Sequence, residues 1–578
     1  MPRPPSVPSR KQPVATRAIA RNPRQAEAHF NQALAHQSLG QWPEALASYD
    51  RAISFQRDFA AAYFNRALVQ KALNQREAAV ASYDAAIAAK PDWAEACYNR
   101  GNLLQELNRL AEAVASYDRA IRIKPDWALA WSNRGNALKA QRQFTAALAS
   151  LDHAIGLKPD WAEVHSNRGF VLQLLGHFDE ALVACDRAIG FDERLAEAWS
   201  NRGLALQGLR QLDEALESYD RAIAIKPELA EAHYNRGNVL QELKRMDQAH
   251  LSYDRAIAIS PQAADPHWNK AIAFLLCGQW LAGWALYEWR WRLQGTGPTR
   301  RAIDAPLWLG AEPLSGKTIL LHHEQGLGDT LQMCRYAPMV KALGASVVLE
   351  APKPLLGLLS TLEGIDALIE SGSALPSVDF HCPLLSLPLA FKTEPVTVPA
   401  TRGYLKSDQA KRAQWVQRLG AKSRPRVGLV WSGSTIHPND RNRSVSLAAL
   451  TVRLPPHLDY VCLQNEVREI DAEPLRNSSI RHVGDELVEF ADTAALCDLM
   501  DLVISVDTSV AHLAGAMGKP TWVLLPYAPD WRWLLGRDDS PWYDSVTLYR
   551  QQADWSWDAV LDRMTVDLHR RFDSPAYR

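Results

Sequence analysis

From residue 25 to 295 apolar side chains recur with helical spacing, in runs that polar residues and prolines interrupt. In the stretch WAEACYNRGNLLQELNRLAEAVASYDRAIRIKP, which begins at Trp93, two such runs are broken near Asn108 and ended by Pro125. That pattern predicts a helical hairpin. The hairpin repeats. Asn-Arg-Gly recurs at Asn99, Asn133, Asn167, Asn201 and Asn235, each 34 residues after the last, and the frame extends to Asn31, Asn65 and Asn269. A second column runs through Tyr49, Tyr83, Tyr117, Leu151, Cys185, Tyr219, Tyr253 and Tyr287, which defines about eight units. Columns of alanine (Ala52 to Ala256) and proline (Pro91 to Pro261) keep the same register. Gly101 and Ala120 fall where two helices approach closely, with the larger residues filling the spaces between neighbouring hairpins. The apolar stretch 271–287 nears the length a bilayer requires. It holds the frame, however, with Gly278 and Trp280 matching Gly40 and Trp42, so it is expected to be the last hairpin.

After Trp291 the frame fails, and a Gly- and Pro-rich linker is expected over 296–315. Beyond it the pattern changes to short apolar runs alternating with helical ones. TILLH (318–322) precedes EQGLGDTLQ and the helical MCRYAPMVKAL, and SVVLEAP follows; then come VGLVWSGS, YVCLQ, DLVISVD and PTWVLLP. Strand, turn and helix in alternation predict parallel, doubly wound sheets. The expected architecture is an all-α repeat solenoid followed by two Rossmann-like halves, at 316–405 and 424–545, with a terminal helix and tail over 546–578.

Composition adds mainly exclusions. With 64 basic and 65 acidic residues the net charge is −1, so no global field draws nucleic acid or an anionic membrane. The 47% hydrophobic and 22% charged content is that of a globular chain. Seven cysteines stand singly without C-x-x-C spacing, as buried thiols of a reducing compartment would, and a cytoplasmic protein is expected. Residues 1–24 carry Arg and Lys but no acid or apolar core, and read as a disordered basic arm rather than a secretory signal.

The 34-residue period with its small, aromatic and proline columns resembles the tetratricopeptide repeat. That resemblance implies a superhelix whose inner groove takes extended partners, with the asparagine column (Asn65, Asn99, Asn133, Asn167, Asn201, Asn235) as an amide ladder for a protein or peptide. Equally, each asparagine could brace a neighbouring helix. The next column is arginine (Arg66, Arg100, Arg134, Arg168, Arg202, Arg236) where the family usually has leucine, which predicts a basic stripe.

Open α/β sheets bind ligands at the carboxyl ends of their strands. At those positions stand Gly326, Gly328 and Asp329; Ser432, Gly433 and the polar loop HPNDRNRS with Arg441 and Arg443; and Asp507, Thr508 and Ser509 running into AHLAGAMG. The last is a helix N-terminus suited to a diphosphate. GLGDTLQ together with SVDTSVAHLAGAMGKPTWVLL resembles the heptosyltransferase-like group (glycosyltransferase family 9-like) of GT-B glycosyltransferases, over most of 315–545. The resemblance implies Asp329 as catalytic base and Asp507, Thr508, Ser509 and His512 at the donor's phosphates. It also implies a basic residue offsetting leaving-group charge, a place taken here by Arg441 or Arg443 where that group more often has Lys. Neither cofactor nor metal is expected, the nucleotide-diphosphate sugar being a co-substrate. His322 and His323 flank the same turn, and Trp531, Arg532, Trp533, Trp542 and Tyr543 form a cluster for sugar stacking or for packing. The leading expectation is an inverting glycosyltransferase whose repeats recruit an acceptor, a protein among the candidates. The alternatives are a repeat scaffold with a degenerate transferase domain and a sugar-nucleotide epimerase.

Overall fold

The computed structural model describes residues 25–293, 295, 297–298, 300–399, 403–436 and 439–573. The basic arm at 1–24, His437 and Pro438 of the polar loop, and residues 574–578 of the tail lie outside the described residues. The chain divides into two compact units, Met1–Val239 and Leu240–Arg578, with the boundary inside the helix Ala230–Glu242.

In the first unit helices of 13 and 14 residues alternate, from Ala26–Ser38 and Trp42–Phe55 through Leu212–Ile225 to the start of Ala230–Glu242. Within each pair the turn carries a left-handed residue at one fixed position: Gly40, Asn74, Asn108, Arg142, Gly176 and Arg210, all with positive φ. This is the αL stop that closes the first helix of a hairpin. The asparagine–arginine–glycine column sits in the first helix of each pair. A Cβ on Gly101 would lie 2.6 Å from the Tyr117 ring, and one on Gly203 would lie 2.7 Å from Tyr219. The tyrosine column therefore packs onto bare backbone. Where that column changes to Leu151 and Cys185, Gly135 and Gly169 still press against the replacement, at 2.9 and 2.5 Å. We expect Gly101→Ala to destabilise the repeats by about 1–3 kcal/mol, measured as a lowered urea midpoint, whereas Ala at exposed Gly190, which has no atom nearby, should not.

The arginine column does not form a basic stripe. Each guanidinium pairs with an aspartate sixteen residues earlier, in the preceding hairpin: Arg66–Asp50, Arg100–Asp84, Arg134–Asp118, Arg168–Asp152, Arg202–Asp186 and Arg236–Asp220, at 2.6–3.0 Å. Four of them also donate to a serine sixteen residues later, Arg66 to Ser82, Arg100 to Ser116, Arg134 to Ser150 and Arg202 to Ser218. The arginine stems snorkel as expected, but their charge is spent between hairpins.

The second unit opens with the helices Met246–Ile259, Ala264–Leu276 and Trp280–Tyr287 and the 3₁₀ turn Glu288–Arg292. The apolar stretch 271–287 is thus broken at Gly278 (φ 78), and among the described residues no helix is long and apolar enough to cross a membrane. Two all-parallel sheets follow. The first contains β1 (Thr318–His322), β2 (Ser346–Ala351), β3 (Ala367–Glu370) and β4 (Phe380–Pro383), in the order β3-β2-β1-β4. The second contains β5 (Arg426–Val430), β6 (Asp459–Cys462), β7 (Arg481–His482), β8 (Leu502–Val506), β9 (Thr521–Leu525) and β10 (Val546–Arg550), in the order β10-β9-β8-β5-β6-β7. The first and the second sheet both reverse direction beside their first strand, at β1/β4 and β5/β8. Every residue of β5, β8 and β9 is buried, as strands covered on both faces must be. The terminal helix is Asp558–Phe572.

The last hairpin packs directly on this α/β region. Trp280 stacks on Trp542 with ring centroids 4.8 Å apart, Trp284 and Tyr287 meet Trp531 edge-on, and the Trp284 indole N–H donates to the Thr393 carbonyl at 2.9 Å. Trp531, Trp533, Trp542 and Tyr543 are all buried. Of the two roles open to this aromatic cluster, the structure shows packing.

Candidate functional site

The switch points of the two sheets place the loops after β1, β5 and β8 together. After β1 the chain turns at Gly326 into the helix Leu327–Met333, so Asp329 lies in the first turn and its carboxylate accepts the Gly326 N–H at 2.8 Å. Gly328 lets this turn touch the helix Ser509–Ala516: a Cβ there would lie 2.9 Å from His512 Cδ2 and 3.4 Å from Ser509 Cα. Asp329 also pairs with Arg532, which lies beyond β9. Arg532 is buried; its other nitrogens bond Asp530 at 2.8 Å and the Gln332 side-chain oxygen at 2.8 Å. Burial alone would lower its pKa, but Asp530 and Asp329 more than reverse this and hold it above the ordinary arginine value.

On the other side, Gly433 lies beneath the Arg443 guanidinium, which donates to the Asp507 carbonyl at 2.8 Å. The Gln464 amide clamps the start of this loop by accepting from the Trp431 and Ser432 backbone N–H groups and donating to the Ser432 hydroxyl. Arg468 donates to the Gly433 carbonyl and to Asp440. Arg441 is exposed on the same short helical turn as Arg443. Thr508 caps the helix Ser509–Ala516 in extended conformation, and its hydroxyl bonds Ser505 rather than the first-turn amides.

Asp507 is pushed up to about 6, by burial first and then by the neighbouring Asp530 charge, with Arg532 and Arg443 opposing. A carboxyl whose folded pKa is raised favours the folded state when protonated, so it detracts from stability as pH rises from the unfolded value of 3.8 to about 6. Asp507→Asn should therefore gain melting temperature relative to the parent across that window and hold a constant advantage above it. A pH-independent difference would show that the carboxyl is not the source.

His512 lies on the helix Ser509–Ala516 and faces Gly328. It is buried, its Nδ1 is 3.0 Å from the Tyr543 hydroxyl, and its ring stacks on Trp533. Burial, then Arg532 and Arg335, hold it well below the ordinary range and so neutral. In this arrangement it braces the helix. His322 is likewise buried, bonded to His381 at 3.1 Å, and pushed down to about 3 by burial and by His381. Glu324 forms a two-pronged pair with buried Arg290 of the last hairpin. Gln464 and Arg468 are participants that sequence reasoning missed, and Arg532, read there only as a member of the aromatic cluster, was not expected beside Asp329; the partners that tie these three into the site, Ser432, Asp440 and Asp329, lie 28 to 203 positions away.

In the first unit the asparagine side chains face neighbouring residues. Asn133 donates to the Tyr98 hydroxyl and Asn102, and Asn201 to the Ser166 hydroxyl; Asn65 and Asn99 bond carbonyls four residues back. Asn167 accepts from Lys139, and Asn235 is buried. Asn133, Asn167 and Asn201 thus bond the preceding hairpin, whereas Asn65 and Asn99 bond within their own helix, and the five members other than Asn235 remain partly exposed.

Models described as TPR repeat match residues 38–74, 101–142 and 211–244, and models described as tetratricopeptide repeat match 60–92, 128–160 and 230–262. These hairpins are tetratricopeptide repeats. Protein FlbA of Caulobacter vibrioides is 27% identical over 327 residues, 52% of this chain and 54% of that protein, so the chain spans about half the length of the curated relative it matches. Among solved structures, YrrB, described as a TPR protein with an unusual peptide-binding site, is 27% identical and covers 32% of this chain and 97% of its own, with a TM-score of 0.27. A tetratricopeptide repeat protein from Parabacteroides merdae is 15% identical over 46% of this chain and 98% of its own, with a TM-score of 0.36. The tetratricopeptide repeats support a protein or peptide partner; the α/β region stands beside them as parallel-sheet structure.

Proposed function

We propose that the α/β region is a GT-B glycosyltransferase that transfers a sugar, with inversion and without a metal, from a nucleotide-diphosphate sugar to an acceptor recruited by the tetratricopeptide repeats. The observation that carries this reading is the close approach of Gly328, the neighbour of Asp329, to Ser509 and His512 of the helix that Thr508 caps, at the switch points of two parallel sheets. In this scheme the acceptor hydroxyl gives its proton to the Asp329 carboxylate while its oxygen bonds the anomeric carbon. The bond from that carbon to the diphosphate breaks, and the departing charge meets the Thr508–Ser509 helix N-terminus and Arg443. Arg532 orients the Asp329 carboxylate through their ion pair. Gly328 supports the reading because its lack of a side chain lets the turn that carries Asp329 pack against Ser509.

The repeats by themselves also fit a non-catalytic scaffold, a reading favoured by one observation: Arg532 and Arg443 are already bonded to protein groups. Melting the full chain with ADP-, UDP-, GDP- and dTDP-sugars separates the two. A ligand at a hundred times its Kd adds about 2.7 kcal/mol, so one nucleotide class should raise the transition of the α/β region. No shift with any of them would leave the scaffold.

A further inference from the structure

Away from the cleft, three side chains with metal-ligating atoms converge at the far end of the second sheet. His457 lies in the loop just before β6, at the amino ends of the strands, whereas the candidate site lies at their carboxyl ends. His569 is in the last turn of the helix Asp558–Phe572, and Asp573 follows that helix directly, four residues on and still in helical conformation, so both face the same side. His457 Nε2 is 3.1 Å from one Asp573 oxygen, and His569 Nδ1 is 3.0 Å from the other. One ligand atom from each of the three lies within 4.8 Å of the other two. The imidazole rings are 5.6 Å apart and tilted by 41°.

A second feature sets this group apart from an ordinary surface ion pair. The His457 Nε2 atom is shielded from solvent yet makes no hydrogen bond of good geometry, even though Asp573 is near. It lies 3.1 Å from an Asp573 oxygen, at the edge of the space between the three groups. Around that space the basic neighbours are turned elsewhere: Arg570 is tied to Asp567 at 2.7 Å, and Arg453 is held by Asp558 and Asp562.

We propose that His457, His569 and Asp573 form a zinc site that clasps the terminal helix to the loop before β6. Zinc–nitrogen and zinc–oxygen bonds of about 2.0–2.2 Å in a tetrahedron put ligand atoms roughly 3.3–3.6 Å apart, so the two histidine–aspartate spacings of 3.1 and 3.0 Å need to open slightly, and the other spacings, within 4.8 Å, need to close by no more than about an ångström. Two imidazoles with one carboxylate select zinc over magnesium or calcium, which prefer all-oxygen shells. The side chains are 39%, 49% and 46% exposed, which leaves a fourth position open to water. Binding closes a link between residues more than a hundred positions apart, so the metal would stabilise the second sheet against loss of its terminal helix.

The test uses full-length protein stripped with a chelator and titrated with zinc against a colorimetric competitor. The parent should take up one tight equivalent that raises its melting temperature, and His569→Gln and Asp573→Asn should each lose both the equivalent and the shift. His36→Gln, which alters a partly exposed histidine of the first repeat bonded to Gln41, should keep both. His569 is an exposed side chain near a helix end, so its replacement should not prevent folding; circular dichroism of the variants checks this, and His457→Asn removes the third ligand from a different element. Zinc uptake and melting shift equal in the parent and in all three ligand variants would overturn the site, as would a parent that takes up no tight zinc.

Discussion

Asp329→Asn should lower turnover at least about a hundredfold while leaving donor affinity within a few-fold, because loss of a general base typically removes a factor of a hundred to ten thousand. The substitution keeps the side-chain oxygen that accepts the Gly326 N–H, so the turn itself persists. It removes the negative charge facing Arg532, which keeps Asp530 and Gln332 as partners. The donor's phosphates would lie at Thr508 and Ser509, across the cleft, so binding and chemistry should separate. Both are to be measured on one preparation, with its melting temperature recorded to show that Arg532 has not unseated the fold. Near-normal turnover would reduce Asp329 to a turn residue. The base would then be sought at His322, His323 or Glu324, and the structure orders that search. His322 is buried and bonded to His381, and Glu324 is tied to Arg290, whereas His323 is half-buried with its Nδ1 unbonded.

Arg290→Ala should destabilise the second unit by on the order of 3–5 kcal/mol, the usual consequence of removing one member of a buried charge cluster. Arg290 is wholly buried, paired with Glu324 and Glu288 at 2.8 and 2.6 Å and bonded to the Ser386 hydroxyl at 2.7 Å. Without it Glu324, itself buried and shifted upward by that burial, has only the Leu385 N–H. Urea unfolding followed by tryptophan fluorescence reports on this region, since Trp280, Trp284, Trp531 and Trp542 pack beside it. Pairing Arg290→Met with Glu324→Leu should recover part of the loss; a single-variant change below about 1 kcal/mol would mean that the cluster is solvated.

The repeat frame was legible in the sequence because a 34-residue period records the same contact many times over, so no single position had to be interpreted. The aspartate partners of the arginine column were present in the same record, in the Ser-Tyr-Asp triplet of four hairpins and in Ser-Leu-Asp and Ala-Cys-Asp at Asp152 and Asp186, but a column read alone shows a charge and not what meets it. Strands β1, β2, β5, β6, β8 and β9 were visible as continuous apolar runs. β3 was not, being four residues and half exposed; β4 reads Phe-His-Cys-Pro, β7 has two residues, and β10 lies in an aromatic-rich terminus. The loops of the candidate site could be placed because strand ends predict them. Which basic residue turns inward could not: Arg441 and Arg443 are two positions apart, and only the backbone of their short helical turn aims Arg443 at Asp507 and leaves Arg441 in solvent.

The arginine ladder has a consequence for how this solenoid can change length. Each guanidinium reaches sixteen residues back to an aspartate and, in four hairpins, sixteen forward to a serine. Excising or duplicating one whole 34-residue hairpin therefore joins an aspartate of one copy to the arginine of another with nothing left unmatched. A cut that is not a whole number of hairpins breaks that register at the junction. Gene-level gain and loss of hairpins is thereby tolerated only in whole units, which makes copy number the free variable and phase the fixed one.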